Sequence, residues 1–413
     1  VEILKEELLP AMGCTEPIAV AYAAAVAVQA LGEKPESVEV NVSANIIKNV
    51  KSVVVPCTGG LRGIGAAVCA GIVAGCPEKE LEILEEITGE QKVEMKKMLD
   101  TMPMTIRESD KEYIFDIQIK ACAGGHSGYV EIAGFHTNVI CVKKDDEIIR
   151  EKAYEEQGSS CATDRSLLTV EKIIEFADCV DVADVEEVLQ RQIDYNWAIA
   201  EEGMTGNWGA AIGKTLMEAY GNSVHNRAKA MAAAGSDARM NGCELPVVIN
   251  SGSGNQGMTT SLPVIVYAKE LNVSKEMMLR ALVVSNLITI HMKTGIGRLS
   301  AYCGAISAGC GAGAGICYLY GGRAYEISHV IVNAVAINSG VVCDGAKASC
   351  AAKIASAVEA GLLGLQMQKN GKQFYGGDGL VEKGVENTIR NIGELAKKGM
   401  RETDKTIIQI MTR

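Results

Sequence analysis

The chain has 413 residues, which is long enough for a large buried core and excludes a single small domain. Its net charge of −11 and the lack of a block of basic residues argue against nucleic acid as a partner. No basic segment followed by an apolar run opens the sequence, so no secretory signal is predicted and we expect a cytoplasmic protein.

The cysteine content narrows the chemistry. Fourteen cysteines in a chain expected to be cytoplasmic favour reduced thiols, metal ligands or catalytic groups over disulfides. No CxxC spacing occurs, which excludes zinc ribbons and thioredoxin-like or ferredoxin-like motifs. The five histidines form no HExxH pair and there is no GxSxG, so neither a zinc hydrolase nor a serine hydrolase is indicated.

In the N-terminal part, two helices are predicted before residue 35, with a break from Pro10 to Cys14. Thr15 is the expected N-cap of the second helix, which places Cys14 at a helix N-terminus where the helix dipole favours a thiolate. Alternating apolar residues then predict strands at 37–44, 113–121, 128–133 and 138–143. These strands favour one small, mostly antiparallel sheet backed by helices.

After residue 168 almost every segment has helical periodicity, and the apolar character of the later helices is typical of a buried bundle. The predicted helices of this part include 260–271, 299–320, 327–342 and 349–363. The predicted fold class is therefore α+β, with a large, mainly helical bundle domain and a smaller lobe containing a mostly antiparallel sheet. Three units are expected: N-terminal helices that pack on the helical domain and carry Cys14 (1–35), a small α+β lobe (36–150) and a helical domain with the catalytic site (151–413).

One uncharged run, from Leu299 to Gly322, reaches the length of a membrane span. It consists mainly of Gly, Ala, Ser and Cys, which have weak hydrocarbon transfer energies but allow helices to approach closely. We therefore interpret this run as a helix buried in a protein core and expect no membrane association.

Three cysteines, Cys303, Cys343 and Cys350, are candidate ligands of an inorganic cofactor. Their spacing alone is a weak signal in a cysteine-rich chain. Residues seven apart on an unbroken helix are separated by about 10 Å, but Asp344-Gly345 is a strong turn signal that would bring the last two thiols to one point. Cys310 and Cys317 continue a heptad stripe from Cys303 and are expected on one buried helix face, pointing elsewhere. The alternative, that all these cysteines are small core residues, stays open.

A Gly-rich segment from Asn250 to Gly257 is the second candidate site. Successive glycines expose backbone N–H groups just before a helix, a composition suited to a carboxylate or phosphate. The residues expected to bind substrate here are Ser251, Gly252, Ser253, Asn255 and Gln256. Lys293 and Arg298 follow an apolar helix and are candidates to neutralise a substrate carboxylate. An ordinary connection and ordinary capping charges are the respective alternatives.

Three segments carry a family resemblance: GCTEP at 13–17, SGSGNQG at 251–257 and GIGRLSAYCG at 295–304. Together they resemble the iron-sulfur L-cysteine desulfidase family, which is related to the alpha chain of bacterial L-serine dehydratases, and the resemblance covers essentially the whole chain. It implies a [4Fe-4S] cluster held by Cys303, Cys343 and Cys350, with Cys14 as proton acceptor. The sequence lacks the terminal cysteine and the serine-rich, histidine-containing motif of the serine dehydratases, which argues against serine as the main substrate.

The reaction that the resemblance implies is β-elimination from a small L-amino acid, with L-cysteine giving pyruvate, ammonia and hydrogen sulfide. Three protein thiolates leave one iron open as a Lewis acid, and a positioned base is needed for the weakly acidic α-proton. Alternatives are an L-serine dehydratase, a pyridoxal-phosphate lyase with Lys293 as Schiff base, and a non-catalytic amino-acid-binding sensor. Cys14 as a resting-state cluster ligand is also open, and we expect a homodimer.

Overall fold

The computed structural model of the protein describes residues 1–154, 163–297 and 299–412. Its helices before residue 206 are α1 (Glu2–Glu7), α2 (Thr15–Leu31), α3 (Ala44–Val50), α4 (Gly63–Ala74), α5 (Gly89–Thr101), α6 (Val170–Cys179) and α7 (Ala183–Thr205). The later helices are α8 (Ile212–Tyr220), α9 (Val224–Met240), α10 (Gly254–Glu270), α11 (Lys275–Ile296), α12 (Gly304–Leu319), α13 (Ala324–Asn338), α14 (Cys350–Lys369), α15 (Val385–Glu394) and α16 (Arg401–Thr412). Short 3-10 turns lie at Pro77–Glu82 and Arg165–Leu167, and a π-helical turn lies at Leu395–Gly399.

The strands form two sheets. They are β1 (Pro10–Met12), β2 (Ser37–Val42), β3 (Met104–Glu108), β4 (Asp116–Ala123), β5 (His126–Ala133), β6 (Val139–Lys144), β7 (Glu147–Glu151) and β8 (Pro246–Val248). The larger sheet has the order β3-β2-β4-β5-β6-β7, in which only β2 and β3 run parallel. The predicted α+β class with a mostly antiparallel sheet is therefore confirmed.

The two edge strands of the larger sheet were not predicted. Along β3 and β7 nearly every side chain is exposed, so the sequence has no alternation of buried and exposed residues there. β2, β4 and β5 have alternating or continuous buried positions, and α2 packs across β4 and β5. β3 and β7 lie at the edges of the sheet, where side chains are exposed on both faces. For this reason the sequence predicted only four of the six strands.

The two N-terminal helices pack on different parts of the molecule: α1 packs on the helical part, and α2 packs on the larger sheet. α1 contacts α7 and α11, as expected for packing on the helical domain. α2 instead packs across β4 and β5 and against α4, because its small apolar side chains are buried nearly all round. At Gly128 of β5 an added Cβ would collide with the backbone of Ala27, so the helix and the sheet are in close contact. The domain boundaries themselves stay a prediction.

The helical part is organised around α12, which packs against α10, α11, α13 and α14. Its glycines lie directly against neighbouring backbone: Gly309 against Ala357, and Gly313 against Gly361. The small-residue face of the uncharged run is therefore filled by helices of the same chain. In the part of the chain that the structure describes, no helix is both long enough and apolar enough to span a membrane.

The ends of four predicted helices differ from the observed ones. The helix predicted at 299–320 begins only at Gly304, and the helix predicted at 327–342 ends at Asn338. Between them, the extended residues Tyr302 and Val342 form an antiparallel bridge. α10 begins at Gly254, so the predicted Gly-rich loop supplies the first turn of that helix. Helical periodicity did not reveal these ends because the apolar residues continue past them.

Candidate active site

Cys303 and Cys343 are brought together by the bridge between the chain segments before α12 and after α13. The Cys343 N–H donates to the Ala301 carbonyl at 2.6 Å, and the Cys303 N–H donates to the Val341 carbonyl at 3.1 Å. In this antiparallel register the two cysteines are diagonal neighbours on one face, a relation that places α-carbons about 7–8 Å apart. Burial, and then the charge of the Cys343 thiol, raise the pKa of Cys303 to about 12.

Cys350 lies near Cys303 and Cys343 because the chain turns sharply after Cys343. Gly345 has φ 92°, and a Cβ at this position would collide with the carbonyl oxygen of Lys48 in α3. The helix therefore cannot run through from Cys343, and α14 begins at Cys350. Burial and the charge of Cys343 raise the pKa of Cys350, so these thiols lie within electrostatic reach. The predicted break at Asp344-Gly345 is present.

Cys14 arrives at this site from the other end of the chain. β1 pairs with β8, with Ala11 opposite Val247, and this two-stranded sheet places residues 13–17 beside the segment that follows β8. Cys14 belongs to a small buried group with Val53 and Met240, against which Cys350 packs. The N-cap of α2 is Cys14 and not Thr15, because the Thr15 hydroxyl lies 3.0 Å from the carbonyl oxygen of Gly252 instead.

Four helices begin around these residues: α2 after Cys14, α10 after Ser253, α12 after Cys303 and α14 at Cys350. Within the described ranges, no hydroxyl, amide or carboxylate side chain caps any of the four. Ser or Thr side chains cap α5, α6, α9 and α11, while α3, α4 and α7 resemble the four site helices in having no side-chain cap. Free N–H groups and the positive end of the helix dipole favour an anion. Four neighbouring helix N-termini would therefore favour an anionic group at this point.

The surroundings of Cys14 favour the protonated form of its thiol. Complete burial, followed by the adjacent carboxylate of Glu16, raises the pKa of Cys14 well above its usual range, while Arg239 lowers it. Cys14 Sγ donates a hydrogen bond to Glu16 Oε2 at 3.2 Å. Desolvation and a neighbouring negative charge thus oppose the thiolate that the helix terminus favours, and the thiolate itself stays a prediction.

Residues 251–257 lie between Cys14 and Cys303. Ser251 has φ 50° and donates to Asn250 Oδ1 at 2.9 Å, while Gly252 has φ 80° and accepts from Thr15. Gln256 is buried against Gly304, where an added Cβ would lie 2.7 Å from the Gln256 amide carbon. Its Oε1 finds no hydrogen-bond donor among the described groups. Part of this segment is therefore committed to the fold, and Gln256 presents an unsatisfied acceptor.

A sequence model of the family described as Serine dehydratase alpha chain matches residues 78–409. The chain belongs to this family. Similar proteins extend over its whole length. A UPF0597 protein of Desulfitobacterium hafniense is 60% identical over 409 residues, covering 99% of this chain and 95% of that protein. A UPF0597 protein of Lachnoclostridium phytofermentans is 50% identical over 414 residues, covering 100% and 98%.

In this serine dehydratase alpha chain family member, sequence reasoning missed several side chains at the site. Glu16 and Asn49 hold the Cys14 segment, with Asn49 Nδ2 donating to Glu16 Oε1 at 3.2 Å. Lys353 donates to the Val342 carbonyl at 2.8 Å and pairs with Asp344, and its pKa is raised by Asp344 and the nearby thiols against the effect of burial. Arg239 bonds the Gly13 carbonyl at 2.8 Å. The contacts of Asn49 with Glu16 and of Arg239 with Gly13 join segments far apart in sequence, and only Glu16 stood in a recognisable motif.

The remaining sequence candidates are two cations, Lys293 and Arg298, and two further cysteines, Cys310 and Cys317. Lys293 is buried in the last turn of α11, and Arg298 lies outside the described residues. Cys310 and Cys317 are buried along α12, and burial raises the pKa of each to about 12. Their burial is that of core residues, as the heptad stripe predicts.

The cysteine set fits a polynuclear cluster in its chemistry. Among the described residues, no three His, Cys, Asp or Glu side chains stand close enough to hold a single metal ion. The ligands of an iron-sulfur cluster bind different irons and therefore stand farther apart than the ligands of one ion. Three thiols beside Lys353, of which Cys303 and Cys350 stand at helix N-termini without a side-chain cap, suit an anionic, thiolate-ligated group.

Proposed function

We propose that this chain is a [4Fe-4S]-dependent lyase that catalyses β-elimination from a small L-amino acid, with L-cysteine as the favoured substrate. The observation that supports the proposal most is that Cys14, Cys303 and Cys350 stand at neighbouring helix N-termini without a side-chain cap, with Cys343 beside Cys303 and Cys350. A lyase of this family needs both a Lewis acid and a base at one point, and these residues meet that need.

Cys303, Cys343 and Cys350 would hold the cluster. When bound by three thiolates, such a cluster supplies a Lewis-acidic iron that polarises the substrate carboxylate and the leaving sulfur or hydroxyl. Lys353 compensates negative charge beside Cys303 and Cys343, since Asp344 and the Val342 carbonyl keep its ammonium group in place. The cysteines are therefore supported by a fixed neighbouring cation.

Cys14 is assigned as the base. Glu16 is assigned as the group that accepts the proton carried by the Cys14 thiol in the resting enzyme. Proton transfer across the 3.2 Å hydrogen bond gives the Cys14 thiolate and a neutral Glu16 carboxylic acid. The thiolate takes the proton from Cα while the Cβ–S bond breaks and the sulfur leaves as hydrosulfide. The resulting aminoacrylate tautomerises and hydrolyses to pyruvate and ammonia. Asn49 holds the carboxyl group of Glu16 in place throughout.

L-Serine is the second candidate substrate, and the family match at 78–409 favours it. Loss of hydroxide would replace loss of hydrosulfide in the same elimination. L-Cysteine is preferred because the sequence lacks the serine-rich, histidine-containing motif that the serine dehydratases carry. A thiolate is also the better leaving group of the two.

The first experiment is anaerobic reconstitution followed by assays of pyruvate, ammonia and sulfide with L-cysteine and L-serine. We expect a brown protein that forms pyruvate and sulfide in equal amounts from L-cysteine. A yellow protein without iron that loses its colour on hydride reduction would indicate the pyridoxal-phosphate alternative. Amino-acid binding without any turnover would indicate the sensor, and either result contradicts the proposal.

Substitution Cys14→Ser tests the assigned base. A serine hydroxyl is a far weaker proton acceptor at neutral pH, so we expect kcat to fall by at least about 100-fold, the contribution of a positioned acid–base group. Iron content is the control and should stay that of the unsubstituted protein, because Cys14 is not one of the three proposed ligands. Retained turnover would exclude Cys14 as base, and lost iron would make it a ligand.

A further inference from the structure

We propose that Arg239 binds the α-carboxylate of the substrate, an inference that rests on the proposed function for the identity of the ligand. The sequence candidates for this role were Lys293 and Arg298. Arg239 lies in the last turn of α9, outside every motif that the sequence displays. Three features of its surroundings carry the assignment.

The first feature is a buried charge that no carboxylate compensates. Arg239 is 2% exposed, yet none of the described Asp or Glu side chains forms an ion pair with it. Its hydrogen bonds go to neutral oxygens: Nε donates to the Gly13 carbonyl at 2.8 Å, and Nη1 donates to Asn255 Oδ1 at 3.1 Å. A guanidinium taken out of water is costly unless an anion compensates it, so an anionic ligand is expected here.

The second feature is the place where the guanidinium lies. Its two partners belong to the segment that carries Cys14 and to the first turn of α10, so Arg239 joins both sides of the site. Gly13, whose carbonyl accepts from Arg239 Nε at 2.8 Å, is the residue directly before Cys14. A carboxylate on Arg239 would therefore place the adjacent Cα, which carries the proton to be removed, near the proposed base.

The third feature is that Gly254, which has no side chain, leaves room for the Arg239 guanidinium at the N-terminus of α10. At Gly254 an added Cβ would collide with the guanidinium, which accordingly lies against the uncapped N-terminus of α10. Arginine has five N–H groups in a planar arrangement that matches a carboxylate, and only two of them are used by the described residues. The free N–H groups and the helix N-terminus together can bind one carboxylate.

Two other roles for Arg239 are open to test. If Arg239 only ties Gly13 to Asn255, its loss lowers stability without changing ligand preference. Alternatively, its charge balances the thiolates alone, in which case its loss would reduce iron content. Selective recognition of a carboxylate is the property that neither role predicts.

The experiment compares L-alanine with L-alaninamide as ligands of the anaerobically reconstituted protein, measured by calorimetry. L-Alanine has no leaving group and is not consumed, and the amide lacks only the negative charge. We expect the unsubstituted protein to prefer L-alanine by about 10- to 100-fold, the range for a charge-assisted hydrogen bond. Arg239→Met should remove most of the preference, leaving only what the iron contributes by its own contact with the carboxylate, and Arg239→Lys should retain more of it because the charge remains.

Arg280→Met is the matched control, because Arg280 is a largely buried arginine of α11 that already pairs with Glu276. It should keep both the preference and the iron content. The proposal is overturned if Arg239→Met and Arg239→Lys keep the full preference, if they lose it only together with iron, or if the unsubstituted protein shows none. Pyruvate formation from L-cysteine reports separately on the proposed function, so its absence does not affect the ligand comparison.

Discussion

Gly345 determines how two cysteines separated by six residues reach one site. With φ 92°, it adopts a conformation that L-residues with a side chain rarely take, and the Lys48 carbonyl leaves no room for a Cβ. The chain therefore turns between Cys343 and Cys350 instead of continuing as a helix. A single glycine thus controls the distance between two of the three proposed ligands.

Substitution Gly345→Ala is expected to weaken this turn by about 1–3 kcal/mol, the usual cost of strained backbone. The melting temperature and the iron content after reconstitution should both fall, because Cys350 moves relative to Cys343. Gly340→Ala is the control in the same connection, since Gly340 has no neighbour within 4 Å of an added Cβ. Equal effects of the two substitutions would contradict the role given to Gly345.

Cys14 illustrates why the location of a residue at a helix N-terminus is not enough to predict its charge. The dipole of α2 and the charge of Arg239 favour the thiolate, but burial and Glu16 oppose it and raise the pKa of Cys14. Sequence indicates the helix terminus through Thr15, Glu16 and Pro17. It does not indicate that the thiol is fully desolvated, because that depends on Val53 and Met240.

At the scale of elements, α3 connects the C-terminal helix to the candidate site. Lys48 of α3 pairs with Asp404 of α16, and its carbonyl contacts Gly345. The next residue, Asn49, donates to Glu16. One short helix therefore touches the proton-transfer pair, the turn between two cysteines and α16. Changes at the contact between α3 and α16 are expected to reach the site through these residues.

The two partners of this ion pair should respond unequally to substitution. Asp404→Asn leaves the ammonium group of Lys48, whose side chain is 1% exposed, without a compensating charge and should cost up to about 3 kcal/mol. Lys48→Met leaves Asp404, whose side chain is 16% exposed and can reach water, and should cost at most about 1 kcal/mol. Urea unfolding of both variants measures the difference, and the reverse order would refute this account of α3.

The helices that follow residue 300 show what small residues contribute. Gly309 and Gly361 lie so close that either would collide with the other helix if it carried a Cβ. This packing occurs within the chain, so the small-residue face gives no support to the predicted homodimer. The assembly remains an expectation from sequence, to be tested by the mass of the protein in solution.

For the molecule as a whole, the fold class followed from patterns that are local in sequence. Alternation predicted the inner strands, and the turn at Asp344-Gly345 predicted the meeting of two cysteines. Arg239, Glu16 and Lys353 were not predicted as parts of the site, because their roles come from contacts such as that of Arg239 with Gly13, 226 residues away. Local periodicity carries no information on which distant segments a folded chain brings together.

The central claim, that Cys303, Cys343 and Cys350 hold a [4Fe-4S] cluster, is tested most directly by counting iron and acid-labile sulfide per chain after anaerobic reconstitution. The unsubstituted protein and Cys310→Ser should each bind about four of both, since Cys310 is a buried core residue of α12. Cys343→Ser should lose most of the iron. An unsubstituted protein that binds no iron, or a Cys310→Ser variant that loses as much as Cys343→Ser, would contradict the claim.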